Sequence, residues 1–133
     1  PLSYKILKTN GNLAFLYMAW LPFDDDIAKA SEDLILKYNP SWSGCKEKRH
    51  HIIIPNEYND YFKLNESVVF DVNVPFTIES WNGRIKACRG IGASLSDNEI
   101  QKFEEEHLSM LNSIGKQNFN VLHYCAIAVI GKK

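Results

Sequence analysis

Three groups of residues bear the side chains capable of chemistry: Asp24, Asp25 and Asp26 in one run; Cys45, His50 and His51 in a loop; and Trp81, Arg84 and Arg89 around the segment ACRGIGASLS, residues 87 to 96. Consecutive carboxylates hold a divalent cation when further oxygen ligands follow at loop spacing, and none do here. They precede Ile27, Ala30, Leu34 and Tyr38, a helical stripe, so they stand at a helix N-terminus, where the macrodipole favours negative charge. The Cys45/His50/His51 set matches no common zinc spacing, and adjacent histidines do not easily share one tetrahedral ion. Gly90-Ile91-Gly92 would cradle a phosphate only between a strand and a helix N-terminus. The residues before it, TIESWNGRIKACR, read as a helix capped by Thr77 or Ser80, with Ile78, Trp81, Ile85 and Cys88 on one face. Gly90 is expected to end that helix in the left-handed conformation. Ser96 to Glu99 then forms a capping box, with Leu95 stapled to Ile100. The glycines therefore join two helices.

The chain has 133 residues, 45% hydrophobic and 23% charged, with a net charge of -1. That is enough chain for one domain with a real core. Nothing in the charge balance favours nucleic acid, and Lys132-Lys133 is only a short basic pair. No apolar run reaches membrane-spanning length, and no charged leader precedes an apolar core, so a cytoplasmic protein without a membrane partner is expected. The three cysteines, Cys45, Cys88 and Cys125, read as reduced thiols.

These groups need elements to position them. PLSYKILKTNG reads as the tail of a helix ending at Asn10-Gly11, so the chain is expected to start in mid-architecture. NLAFLYMAW, residues 12 to 20, is apolar on both faces and predicts a central strand covered on both sides. A helix follows to Tyr38, then the loop from 39 to 51, an extended stretch and a short helix opened by Pro55. SVVFDVNVPF, residues 67 to 76, alternates with Val68, Phe70, Val72 and Val74 inward, as in a strand near an edge. The second of the two helices after it buries Ile100, Phe103, His107, Met110, Leu111 and Ile114 and ends at Gly115. His107 on that stripe reads as a structural histidine. NVLHYCAIAVIG, residues 120 to 131, is apolar on both faces again. This last strand must therefore insert between the first two.

With that order, YKILKTNGNLAFLYMAWLP resembles the helix end, glycine turn and fifth strand of a class I S-adenosylmethionine-dependent methyltransferase. ESWNGRIKACRGIGASLS, EEEH and VLHYCAIAVIGKK resemble the C-terminal part of its small-molecule members. The family writes Leu-Lys-Pro-Gly-Gly before the fifth strand; Leu7-Lys8-Thr9-Asn10-Gly11 stands here. The resemblance implies an α/β fold: the C-terminal half of a Rossmann-like sheet, with the fifth, sixth and antiparallel seventh strands and helices inserted between the last two. It also implies that the cofactor-binding half, with its Gly-rich loop and ribose-holding acid, lies outside these residues. S-adenosylmethionine is then expected in a full-length protein and not on this chain alone.

The resemblance places the substrate side here. Tyr17, Met18, Ala19 and Trp20 would edge the pocket, because ligands of open α/β sheets sit beyond the carboxyl ends of the strands. The inserted helices would cap it with Trp81, Arg84 and Arg89; aromatic walls and a guanidinium suit a small methyl acceptor bearing a carboxylate. Each of these also has a structural reading, Trp81 as core and the arginines as carbonyl caps or surface ion pairs. Trp42, His50 and His51 are weaker candidates, and no catalytic residue is named. The other reading is a stand-alone, non-catalytic binding or dimerisation module. In either case the strand at 13 to 20 would have an edge open to the missing half or to a second copy, with Leu2, Ile6 and Leu7 covering part of the exposed face.

Overall fold

The computed structural model describes residues 1–133. The elements run α1 (Leu2–Ile6), β1 (Asn12–Trp20), α2 (Asp26–Tyr38), a single 3-10 turn (Asn56–Tyr58), β2 (Phe62–Thr77), α3 (Ile78–Lys86), α4 (Asp97–Ser113) and β3 (Asn118–Lys132). The fold is mixed α/β. The three strands form one open sheet in the order β1-β3-β2, so the last strand is central, as its apolar pattern required. Both pairings are antiparallel. The Leu21 N–H donates to the Leu122 carbonyl and the Lys132 N–H to the Gly11 carbonyl, which fixes the β1–β3 register. On the other side, the Lys133 N–H donates to Tyr61 and the Ile78 N–H to Gln117. No helix is long and apolar enough to cross a membrane.

The chain divides into two compact units, and β2 and β3 run through both. One comprises Pro1–Ala19, Arg49–Val72 and Tyr124–Lys133. Its β3 residues Tyr124, Ala126, Ala128 and Ile130 are buried on one face. Phe15 and Tyr58 close over that side edge-to-face, and Tyr4 of α1 packs on Tyr61 and Phe62. Asn10 takes the left-handed conformation (φ 62°) in the turn that feeds β1, a position its short side chain tolerates. Here the sheet departs from expectation. β1 is an edge strand, and its side chains at 14, 16 and 18 are open: Leu16 is 75% and Met18 54% exposed. Phe70, expected inward, is 45% exposed on β2. Leu2 and Ile6 are exposed as well.

The other unit comprises Trp20–Lys48 and Asn73–His123. In it α4 packs against both α2 and α3. The core is Trp20, Ala28, Ile35, Ile78, Trp81, Ile85, Ile91, Phe103, Leu111 and Val121. Both expected capping boxes form: Thr77 with Ser80 at α3, and Ser96 with Glu99 at α4. The Asp25 side chain caps α2 through Oδ1, which accepts from the Ala28 N–H at 2.9 Å, and its Oδ2 accepts from the Leu122 N–H of β3 at 2.8 Å. One carboxylate thus fixes a helix start and a strand together.

Three local expectations are corrected. The buried face of α2 is Ala28, Ser31, Glu32 and Ile35, one position on from the apolar stripe, because two polar side chains find partners inside. Ile114 is the exposed C-cap of α4, and the left-handed residue after it is Gly115 (φ 76°). Gly90 has no positive φ; α3 ends at Lys86 with Ala87 as its cap. Glycine is needed at 90 for space, since a Cβ there would lie 2.7 Å from Ile35 Cγ2 and 2.9 Å from Trp42 Cδ2.

Candidate functional site

Three of the five expected site residues meet in the second unit. Trp20 ends β1, Trp81 lies on the buried face of α3, and their rings meet edge-to-face at 5.5 Å between centroids. Arg84 stands one helical turn after Trp81, exposed, with its guanidinium carbon 5.0 Å from the Trp20 ring centroid. It makes no salt bridge. Stacking of this kind holds the fork in place while leaving its N–H edges free to donate.

Trp20 is itself fixed from behind. Its indole N–H donates to Glu32 Oε1 at 2.7 Å, and Glu32 Oε2 accepts the Lys46 backbone N–H at 3.0 Å. Lys46 holds a left-handed backbone (φ 61°), uncommon outside glycine, where that bond is made. Burial raises the Glu32 carboxyl above the usual range, although both hydrogen bonds favour its ionised form. His123 stacks on Phe76 and meets Trp20 and Trp81 edge-on. Burial lowers its imidazole pKa and raises that of the Cys88 thiol. The platform therefore presents one exposed guanidinium, backed by aromatic rings and by a thiol whose pKa burial raises. A guanidinium of this kind has the chemistry to pair with an anion.

Trp81 is fully buried and meets the site from behind, through Trp20, Phe76 and His123. Tyr17 belongs to the first unit, on the opposite strand face from Trp20, where its ring packs on His50 and Tyr124. Arg89 is exposed beyond α3; its carbonyl accepts the Ser94 hydroxyl at 2.6 Å. His50 Nδ1 lies 2.9 Å from the His51 carbonyl, and His51 Nδ1 lies 2.7 Å from Ser67 Oγ. The Cys45 thiol donates to the Trp42 carbonyl.

Sequence reasoning missed the most connected polar cluster. His107 Nε2 is 3.0 Å from Ser31 Oγ, and His107 Nδ1 is 2.9 Å from Asn82 Oδ1. Asn82 Nδ2 donates to Glu104, so its Oδ1 is the acceptor and His107 Nδ1 carries the proton. His107 Nε2 then accepts from Ser31, whose oxygen also receives the Trp81 indole N–H at 2.9 Å. Serine, histidine and an orienting amide in this order have the connectivity of a nucleophilic triad. Ser31 and His107 have no exposed surface, however, and nothing can reach the hydroxyl. The cluster ties α2, α3 and α4 together. The place of His107 on the α4 stripe was the one signal for it; Ser31 and Asn82 gave none.

Neither Asp25 nor the space beside Gly90 is open to S-adenosylmethionine. The Asp25 carboxylate that follows β1 is spent on two backbone N–H groups, and the space beside Gly90 is filled by Trp42 and Ile35. No ribose-holding acid or open glycine cradle remains at either place. Compared with protein-family models, with characterised proteins and with solved structures, the chain has no match.

Proposed function

We propose that the chain is the substrate-side, C-terminal part of an S-adenosylmethionine-dependent methyltransferase acting on a small molecule that carries a carboxylate. The observation that carries this reading is the strand order, with a last strand antiparallel to both neighbours and two helices inserted before it. It is the arrangement implied by the resemblance of the segments at 4 to 22 and 79 to 96. Arg84 on Trp20 supplies the acceptor-binding group, and Trp81, Glu32 and His123 hold that surface in place. The cofactor, bound by residues outside this chain, would supply the methyl group.

The test is transfer of labelled methyl from S-adenosylmethionine by the complete gene product to a panel of small carboxylic acids and their neutral amides. Methylation of the acids supports the reading. No transfer to any member removes it. A second reading, a non-catalytic binding or dimerisation module, is favoured by one specific observation, the open edge of β1.

A further inference from the structure

The β1–β3 register determines which backbone groups of β1 are free. Gly11 and Leu21 both bond to β3, and in an antiparallel ladder hydrogen-bonded positions recur every second residue. The odd-numbered residues of β1 therefore point their N–H and C=O groups at β3. Those of Ala14, Leu16 and Met18 point the other way, and β1 has no neighbour on that side. No backbone hydrogen bond outside the sheet reaches these three residues. Their side chains share one face of the sheet with Cys125 and Ile127, and Leu16 and Met18 line an apolar hollow of about 310 Å³ there with Phe70 of β2.

We propose that this edge is a self-association surface, on which β1 of a second copy adds as an antiparallel strand. An unpaired ladder accepts an extended strand and not a helix, so the form of the occupant follows from the backbone. Its identity follows from the sequence of the strand. A two-fold axis at Leu16 overlaps Asn12–Trp20 with itself along its whole length and sets the outward-pointing groups opposite one another. It puts Leu16 against Leu16 and Ala14 against Met18, so the exposed apolar side chains cover each other. β1 contains no charged residue, so self-pairing sets no like charges across the axis. It also contains no proline or glycine, and its register with β3 is the same at both ends, so none of the usual devices against edge pairing is present. This inference does not rest on methyl transfer.

Light scattering on the 133-residue chain at micromolar concentration, with residue-resolved hydrogen exchange, tests it. The expected result is twice the monomer mass, with the Ala14, Leu16 and Met18 amides protected as well as the odd-numbered ones. Leu16→Lys should weaken the dimer by roughly tenfold or more through like charge across the axis. Phe70→Lys, on the same face but on the opposite edge strand, should leave the dimer intact. Circular dichroism melting of both variants shows that each is folded. Three results would overturn the proposal. One is a folded monomer with fast even-numbered amides. Another is a monomer in which those amides are protected, since a strand of the same polypeptide then fills the edge. The third is a dimer that Phe70→Lys dissociates and Leu16→Lys does not, which would make it a face-to-face stack.

Discussion

His107 Nε2 lies 3.0 Å from the Ser31 hydroxyl oxygen, and both side chains are closed to solvent. The imidazole must be neutral there, because a second ring proton would leave the Ser31 hydroxyl hydrogen without its acceptor. Burial lowers the His107 pKa from 6.5 to about 4. Between those values the unfolded chain binds a proton that the folded chain refuses. Stability is thus fully present above the unfolded value and is lost as pH falls towards about 4. The loss attributable to His107 amounts to at most about 3 kcal/mol. His123, also lowered by burial, acts in the same direction, while the raised Glu32 carboxyl opposes both. Denaturant unfolding across this range should therefore show stability dropping with acid, and His107→Gln should flatten the drop while costing about 1–3 kcal/mol at neutral pH. An unchanged slope in the variant would mean that His107 does not carry it.

Gly83 and Gly90 should respond to alanine in opposite ways. Gly90→Ala drives a methyl group into Ile35 and Trp42 and should cost about 1–3 kcal/mol, with a shift in tryptophan emission as Trp42 is displaced. Gly83, inside α3, has open space where a Cβ would go. Gly83→Ala should stabilise by about 0.5–1 kcal/mol. Equal effects of the two in thermal unfolding would contradict the packing described around Gly90.

Asp25 joins two elements through separate oxygens. Asp25→Ala removes a helix cap, at about 1 kcal/mol, and strands the Leu122 N–H at about 1–3 kcal/mol more. Asp25→Ser restores the cap alone and should recover only the first part. Full recovery by serine, measured by urea unfolding, would show that the strand contact contributes nothing.

Arg84→Ala in the complete gene product should raise the KM for a carboxylate acceptor by about tenfold or more, the loss of a charged hydrogen bond, and leave kcat nearly unchanged. The stacking it gives up on Trp20 is exposed and worth about 0.5–1 kcal/mol, so the fold should survive. Arg84→Lys keeps the charge but not the fork, and should recover only part of the affinity. Unchanged KM in Arg84→Ala would free the residue from any role in acceptor binding.

What the sequence made legible was local or periodic. Thr77 and Ser96 announced helix starts through side chains that bond a backbone three residues on, and the doubly apolar run at 120 to 131 announced a central strand. The buried face of α2 was misplaced because Ser31 and Glu32 look like surface residues until His107, Trp81, Trp20 and Lys46 arrive from distant parts of the chain. Gly90 was misread for a related reason: a helix-terminal glycine and a glycine under a tryptophan have the same letter. Of the site, the nearness of Trp20, Trp81 and Arg84 was anticipated. The position of Tyr17 on the other strand face was not, since the assignment by nearness to the strand end ignored its alternation.

The central strand also sets an order of events. β1 and β2 are not neighbours, and each bonds only to β3, which follows both in the chain. During synthesis neither can pair until Asn118–Lys132 has left the ribosome, so β1 and β2 wait with apolar faces and open edges. The bond from Lys132 to Gly11 closes nearly the whole length of the chain. Pairings this distant in sequence carry a large loop-closure cost, so the sheet is expected to close after the local helices form.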